Sequence, residues 1–309
     1  MASNAKIKVV GIGGSGGNTI SRMMKCKIKG VELLAINADA QDLQKARAHK
    51  KIRIGRNLTK GLGTGMNPEK GRAAAEEQRE EIEKVLRGSD MIFITCGLGG
   101  GCGSGGSLVV AEIAKKLGAL TLAVVTTPFS FEGSQRMEIA RNSQRLLKEK
   151  VDTLISISND RLFSFLEPKT TVLNAFWLCD EILRQAVQGI SDLIVLPGII
   201  NIDFADVKAI MKDSGTALFG IGRAKGPERA KEAAQRALNS PLLDVSCKGA
   251  KGVLFNVSGG RDISLTEVDE TAKIITQEVS PEAKIIFGAI QDEKLPKGEI
   301  KVTVIATGF

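Results

Sequence analysis

Tyrosine is absent from the 309 residues, tryptophan and histidine occur once each (Trp177, His49), and aromatic residues make up only 4% of the chain. Single-stranded nucleic acid is gripped by aromatic platforms along a basic track, so this scarcity argues against such a partner. The five cysteines, Cys26, Cys96, Cys102, Cys179 and Cys247, show no paired spacing. Neither a disulfide framework nor a cysteine/histidine metal cluster is therefore encoded, and a reducing cytoplasm fits best. Met1 to Val10 lacks the charged-then-apolar order of a secretory signal. No Gly-x-x-x-x-Gly-Lys-Ser/Thr occurs, which removes the P-loop lysine. One charge-free run, Met91 to Ala111, is long enough to cross a bilayer, but it carries seven glycines between Gly97 and Gly106. Glycines there would break a lipid-embedded helix, so a buried strand followed by a loop is expected, with no direct membrane insertion.

What is present suffices for a sizeable core: 43% of residues are hydrophobic and 25% charged, in proportions suited to two domains or one large one. The net charge of +8 would suit an acidic partner. Its distribution argues otherwise, because the basic residues alternate with acids, as in Glu69-Lys70-Gly71-Arg72 and Arg79-Glu80-Glu81. That is a solvated charged surface, and no nucleic-acid partner is expected.

Short β-branched runs at Ile7–Val10, Leu33–Ile36, Lys51–Ile54, Met91–Cys96, Leu120–Val125 and Thr153–Ser158 alternate with helical patterns at about 14–25, 68–87, 105–117 and 132–149. This is the order of a parallel sheet covered by helices on both faces. A long helix from about Val172 to Gln188 follows, with Leu173, Phe176, Trp177, Ile182, Leu183 and Val187 spread around it, as expected for burial between two layers. After Pro197-Gly198 come a helix near 204–213, a strand at Ala217–Gly222, a helix at 227–239 and strands near 252–258, 284–290 and 300–306. The expected organisation is a Rossmann-like α/β domain over 1–170, a connecting helix over 171–196 and a smaller α/β domain over 197–309.

Gly11-Ile12-Gly13-Gly14-Ser15-Gly16-Gly17-Asn18 follows the first strand and opens a helix, whose free N–H groups and dipole favour an anion. With Asp39 after the second strand, this loop alone is compatible with a dinucleotide site, a mononucleotide site or a mere tight turn. A second loop, Gly97-Leu98-Gly99-Gly100-Gly101-Cys102-Gly103-Ser104-Gly105-Gly106, brings nearly bare backbone to another helix. Two such turns facing one crevice make a cradle for several phosphates, which a dinucleotide fold does not require. Glycines needed only for close packing are the plain alternative.

The second loop resembles the tubulin/FtsZ signature Gly-Gly-Gly-Thr-Gly-Ser/Thr-Gly, here Gly99 to Gly105, and the first resembles that family's opening loop. Asn37-Ala38-Asp39, Gly61 to Gly65, Thr127 to Gly133, Asn159-Asp160-Arg161-Leu162, Asn201 to Asp206 and Ala306 to Phe309 agree in order and spacing, over essentially the whole chain. The resemblance implies the tubulin/FtsZ fold and a cell-division cytoskeletal GTPase that polymerises head-to-tail. By it Gly13, Gly14, Ser15 and Asn18, with Gly97, Gly100, Gly101, Cys102, Gly103 and Ser104, hold phosphates and part of the base of GTP or GDP. Thr126, Pro128, Glu132 and Arg136 line the ribose and phosphate side. Asn159 and Asp180 read guanine, and Phe176 lies against the ring unless it is core. Asn201, Asp203 and Asp206 form a catalytic loop that contacts the nucleotide of the adjoining subunit; without the resemblance, those acids read as a helix N-terminus complementing its dipole. Mg²⁺ is expected on phosphate oxygens and water and not in a protein cage. The same resemblance implies a cytoplasmic protein at the division site and membrane-adaptor division proteins as partners, through a tail peptide not found in these 309 residues.

Cys102 departs from the family pattern, standing where the signature has threonine, and a thiol is a poor hydrogen-bonding substitute for a hydroxyl. It leaves room for a filament protein that binds nucleotide but hydrolyses little. A cysteine nucleophile at a helix N-terminus is a sharper alternative, for which the only histidine, His49, offers no ready base. An NAD-dependent oxidoreductase would leave Gly97 to Gly106 unexplained.

Overall fold

Strand β1 (Ile7–Ile12) is buried along nearly its whole length because it lies centrally in a parallel sheet, between β2 (Val31–Asn37) and β4 (Met91–Gly97). The computed structural model describes residues 5–165, 169–196, 198–240, 247–292 and 295–309, with no side-chain description for 163–165. Pro197, where the sequence suggests a change of domain, lies outside the described residues. The chain divides into two compact units, one ending at Gln188 and one running from Gly189 to Phe309.

In the first unit, β3 (Lys50–Arg53), β5 (Leu120–Thr127) and β6 (Thr153–Ser158) complete a parallel sheet in the order β3-β2-β1-β4-β5-β6. The six strands expected from the apolar pattern all form. Around them lie α1 (Gly13–Cys26), α2 (Ala40–Lys45), α3 (Pro68–Glu77), α4 (Arg79–Leu86), α5 (Gly101–Lys116) and α6 (Ser134–Lys148). Strand order reverses at β1, whose neighbours lead to β2 and β3 on one side and to β4, β5 and β6 on the other. The crevice outside the carboxyl ends of β1 and β4 is the switch point where such sheets take ligands.

Two of the helices expected in this unit take other bounds. The pattern at 68–87 breaks at Gln78, whose φ of −109° and ψ of 23° are not helical, while its side chain accepts a hydrogen bond from the Gly55 N–H. The helix expected at 105–117 begins four residues earlier, at Gly101, because its glycines pack against α3. A Cβ on Gly105 would lie 1.9 Å from the Pro68 carbonyl oxygen, and one on Gly71 would lie 2.0 Å from that of Gly101. For these positions the close-packing alternative is the correct one. Gly105→Ala is expected to destabilise the fold by about 1–3 kcal/mol through forced separation of α3 and α5, visible as a lowered denaturant midpoint with nucleotide absent.

Helix α7 (Val172–Val195) runs beyond the apolar pattern that ends at Gln188 and within the connecting segment expected at 171–196, and only part of it is buried. Ile182, Leu183 and Val187 are buried, whereas Leu173, Phe176 and Trp177 are exposed at 79%, 39% and 47%. The expectation of burial all round fails in the first two turns, because apolar spacing marks a face without naming what covers it.

The second unit contains α8 (Phe204–Met211), β7 (Gly215–Lys225), α9 (Arg229–Leu238), β8 (Gly252–Gly259), α10 (Leu265–Gln277), β9 (Lys284–Gln291) and β10 (Glu299–Thr307). Its strands run β7-β10-β8-β9, antiparallel except for the parallel β8–β9 pair. The unexpected helix α10 starts at a capping box, Ser264 with Glu267, and the same Glu267 and Asp262 hold the buried guanidinium of Arg229 on α9. Among the described residues no helix is long and apolar enough to cross a membrane.

Candidate functional site

Both glycine loops end at the switch point. Gly13 leaves β1 with φ +73°, a left-handed conformation that glycine takes without strain, and is already the first residue of α1. After β4 the left-handed turn falls on Gly99, with φ +99°, and Gly100 is the extended residue that precedes α5. Neither helix has a side-chain N-cap, so the positive ends of two dipoles face the crevice with no side-chain oxygen set against them. A cavity of about 520 Å³ lies there. Its lining includes Gly13, Gly14, Ser15, Asn18, Gly97, Gly100, Gly101, Cys102 and Gly103 from the two loops, Thr126, Pro128, Glu132 and Arg136 beyond β5, and Asn159, Phe176 and Asp180 beyond β6. Every nucleotide-contact residue expected from the sequence therefore lines one cavity, with a single exception. Ser104 is fully buried behind it, where its Oγ accepts the Gly99 N–H at 2.9 Å and shapes the loop from within.

Among the lining residues stands a carboxylate with unusual surroundings. Asp180 is buried at 7% exposure; its Oδ1 accepts from the hydroxyls of Ser15 at 3.5 Å and Thr19 at 3.4 Å, and its Oδ2 from Arg22 Nε at 3.5 Å. Burial pushes its pKa up to about 6, against the pull of the Arg22 charge and of the two hydroxyls. Nearby, Asn159 is buried with no hydrogen-bond partner for its Oδ1. A buried amide oxygen left unpaired is costly unless a ligand completes it. Phe176 is exposed enough to present part of its ring, with Phe129 edge-on to it at 5.5 Å, so the reading of Phe176 as plain core fails.

In the same lining Glu132 Oε2 pairs with Arg136 at 2.6 Å, while Glu132 Oε1 accepts the Phe129 N–H at 2.9 Å. Burial pushes the Cys102 thiol up to about 11, against the pull of the Ala38 and Gly13 backbone. The helix N-terminus thus does not generate a thiolate at neutral pH, and the cysteine-nucleophile alternative loses its chemical basis. Cys96 is buried core, as expected.

Several lining residues were given no nucleotide contact from the sequence: Asn37, Asp39, Asp42, Gly63, Thr64, Gly65 and Cys179. Their signal was there, in Asn37-Ala38-Asp39 closing the strand next to β1 and in the glycine turn Gly61 to Gly65. Asp39 caps α2, its Oδ1 accepting from Gln41 and Asp42 N–H groups. Asn201, Asp203 and Asp206 belong to the second unit. Asn201 Oδ1 accepts the Gly198 N–H at 2.7 Å; Asp203 is the N-cap residue of α8 yet makes no side-chain cap, and Asp206 lies in the first turn. All three are exposed. Among the described residues no group of three acidic, histidine or cysteine side chains could hold a metal ion by itself.

A parallel α/β sheet with two uncapped, glycine-lined helix N-termini and an amide-plus-carboxylate pair at one cavity defines a mononucleotide-binding protein. The Tubulin/FtsZ family GTPase-domain model matches residues 6–167, and the FtsZ family C-terminal-domain model matches residues 215–309. The chain is 49% identical to FtsZ from M. jannaschii in an empty dimer, with a TM-score of 0.95 over 99% of this chain and 89% of that one. A mutant of the same protein gives 50% identity and a TM-score of 0.95, covering 99% and 91% of the two chains. CetZ2 from Haloferax volcanii, in a GTPγS-bound protofilament, shares the fold with a TM-score of 0.82 at 22% identity, over 97% and 92%. The chain belongs to the FtsZ family: it is a guanine-nucleotide-binding, GTP-hydrolysing protein of the cell-division cytoskeleton that polymerises.

Proposed function

We propose that GTP lies in this cavity with its phosphates against the two glycine loops and its base between Phe176 and the Asn159–Asp180 pair, and that hydrolysis is completed by Asn201, Asp203 and Asp206 of the next subunit in a head-to-tail filament. The observation that carries this reading is one cavity whose lining brings together a buried carboxylate, a buried amide with an unpaired oxygen and two uncapped, glycine-lined helix N-termini. Ionised Asp180 accepts the ring N–H and amino group of guanine together; adenine has no such donor pair. Thr126, Pro128, Glu132 and Arg136, which line the same cavity, take the ribose and phosphate side in this reading.

The oxygen donors near the loops, Asp39, Asp42 and Thr64, suit a hard cation such as Mg²⁺, which typically keeps its waters and binds through phosphates plus one or two carboxylates. It would neutralise phosphate charge when bound; the chain's own contribution is the N–H cradle that fixes phosphate position. Residues 197–309 act in this reading as the domain that activates hydrolysis. Cytoplasmic placement at the division site and membrane-adaptor division proteins as partners follow from the same reading. Phosphate release from purified protein across a concentration series tests it: turnover per subunit should rise steeply where polymer begins to scatter light, and a flat profile would assign hydrolysis to the monomer.

Cys102 gives a smaller test. If a hydroxyl at this position helps hold the terminal phosphate, Cys102→Thr should tighten GTP relative to GDP by about one hydrogen bond, ~0.5–1.5 kcal/mol. An unchanged affinity ratio by calorimetry would mean that backbone N–H groups do this alone.

A further inference from the structure

Trp177 and Asp180 stand three residues apart on α7 and therefore share a face, and both are met from α1 by one side chain, Arg22. The guanidinium carbon of Arg22 lies 4.7 Å from the centre of the Trp177 ring, and Nε lies 3.5 Å from Asp180 Oδ2. The tryptophan is half-exposed and the only one in the chain, and its ring packs a cation and not the core. We infer that Arg22, seated on the Trp177 ring, is a positioning residue that keeps Asp180 in the ionised, two-acceptor form that guanine recognition requires. The inference rests on the reading of Asp180 as the base-reading acid and adds the device that makes that reading work at neutral pH.

A carboxylate buried this deeply is driven towards its neutral form by desolvation. A neutral carboxyl keeps one acceptor and gains one O–H donor. That pattern opposes guanine, which offers two donors, and matches xanthine, which offers one donor and one carbonyl acceptor. The charged and titratable groups around Asp180 leave Arg22 as its cationic partner. From its own helix, Glu181 is held by Arg184 and Gln185, and Cys179 is a neutral buried thiol. From beyond β5, Glu132 is paired with Arg136. From α1, Ser15 and Thr19 contribute only hydroxyl donors. Arg22 is drawn to Glu181 as well, and the tryptophan face fixes which way the guanidinium lies.

GDP binding by calorimetry over a pH series tests this without turnover. In the wild type, affinity should be level at mildly alkaline pH and fall roughly tenfold per pH unit below the Asp180 midpoint. Arg22→Gln should move that midpoint upward, so that the variant binds GDP several-fold more weakly near neutral pH and regains wild-type affinity at alkaline pH. Arg22→Lys, which keeps the charge, should restore the wild-type midpoint, and Trp177→Leu should shift it in the same direction as Arg22→Gln but less. A merely structural role for Arg22 would lower affinity by the same factor at every pH, and that result, or an unmoved midpoint, overturns the inference. Should Arg22→Gln not fold, the Trp177→Leu profile decides, and an unshifted midpoint there is equally fatal. The underlying assignment is judged separately: if Asp180→Asn leaves the preference for GDP over XDP unchanged, it is Asp180 as base reader that fails, whatever Arg22 does.

Discussion

Asp203→Ala protein is expected to bind GTP about as tightly as wild type and to hydrolyse almost none of it. The acid sits at the N-cap position of α8, where an aspartate would normally bend back onto the helix amides, yet it makes no such bond, and Asp206 one turn on is likewise exposed. Acids kept off the helix end are free to act on something beyond it. In a head-to-tail filament that something is the water and cation beside the neighbouring nucleotide, groups that matter in the transition state more than in binding. Removing one such group typically costs on the order of a hundredfold or more in kcat. Asp206→Ala should behave alike, and filaments of either variant should outlast wild-type filaments after a limiting dose of GTP. Adding Asp203→Ala protein to wild type should lower turnover per wild-type subunit, because mixed filaments contain junctions without the acid. A variant that hydrolyses at the wild-type rate, or that fails to poison the mixture, would remove these residues from the mechanism.

Asp180→Asn should weaken GTP by roughly 1.5–3 kcal/mol, the value of a charge-assisted hydrogen bond, or about ten- to a hundredfold. The sign for XTP is opposite. An asparagine offers one acceptor and one donor, which mismatches the guanine 2-amino group and matches the xanthine 2-carbonyl. The substitution should also flatten the acid limb of nucleotide binding. Wild-type binding needs the carboxylate charged, and with a folded pKa of about 6 that charge is lost as pH falls through this value; asparagine has nothing to protonate. Equal loss for GTP, ATP and XTP would show damage to the fold and not to base reading.

The parallel sheet was legible because buried parallel strands read as β-branched runs with turn residues between them, and the phosphate cradle was legible because two glycine-rich strand-to-helix turns occur together, where either alone is ambiguous. What escaped was tertiary. Gly101 to Ser104 read as loop, yet all four residues are helix, since glycine's poor propensity is outweighed by the close approach it permits against α3. The exposure of Trp177 could not be foreseen from an apolar stripe, which specifies a face and not its partner. Helix α10 was missed although Ser264-Leu265-Thr266-Glu267 spells a capping box. Ser104 fitted the signature but turned inward, because its hydroxyl is used to hold the Gly99 amide.

The close seating of α5 against α3 bears on how fast nucleotide comes and goes. The Gly101 N–H is tied to the Gly65 carbonyl at 2.9 Å, and Gly103 and Gly105 press backbone against backbone, so the phosphate cradle is fixed from behind by the fold itself. Its ordering entropy is spent when the chain folds and not when a phosphate arrives. Exchange of GDP for GTP is then governed by escape of the ligand from a rigid seat, and residence time becomes a property of what closes over the open side.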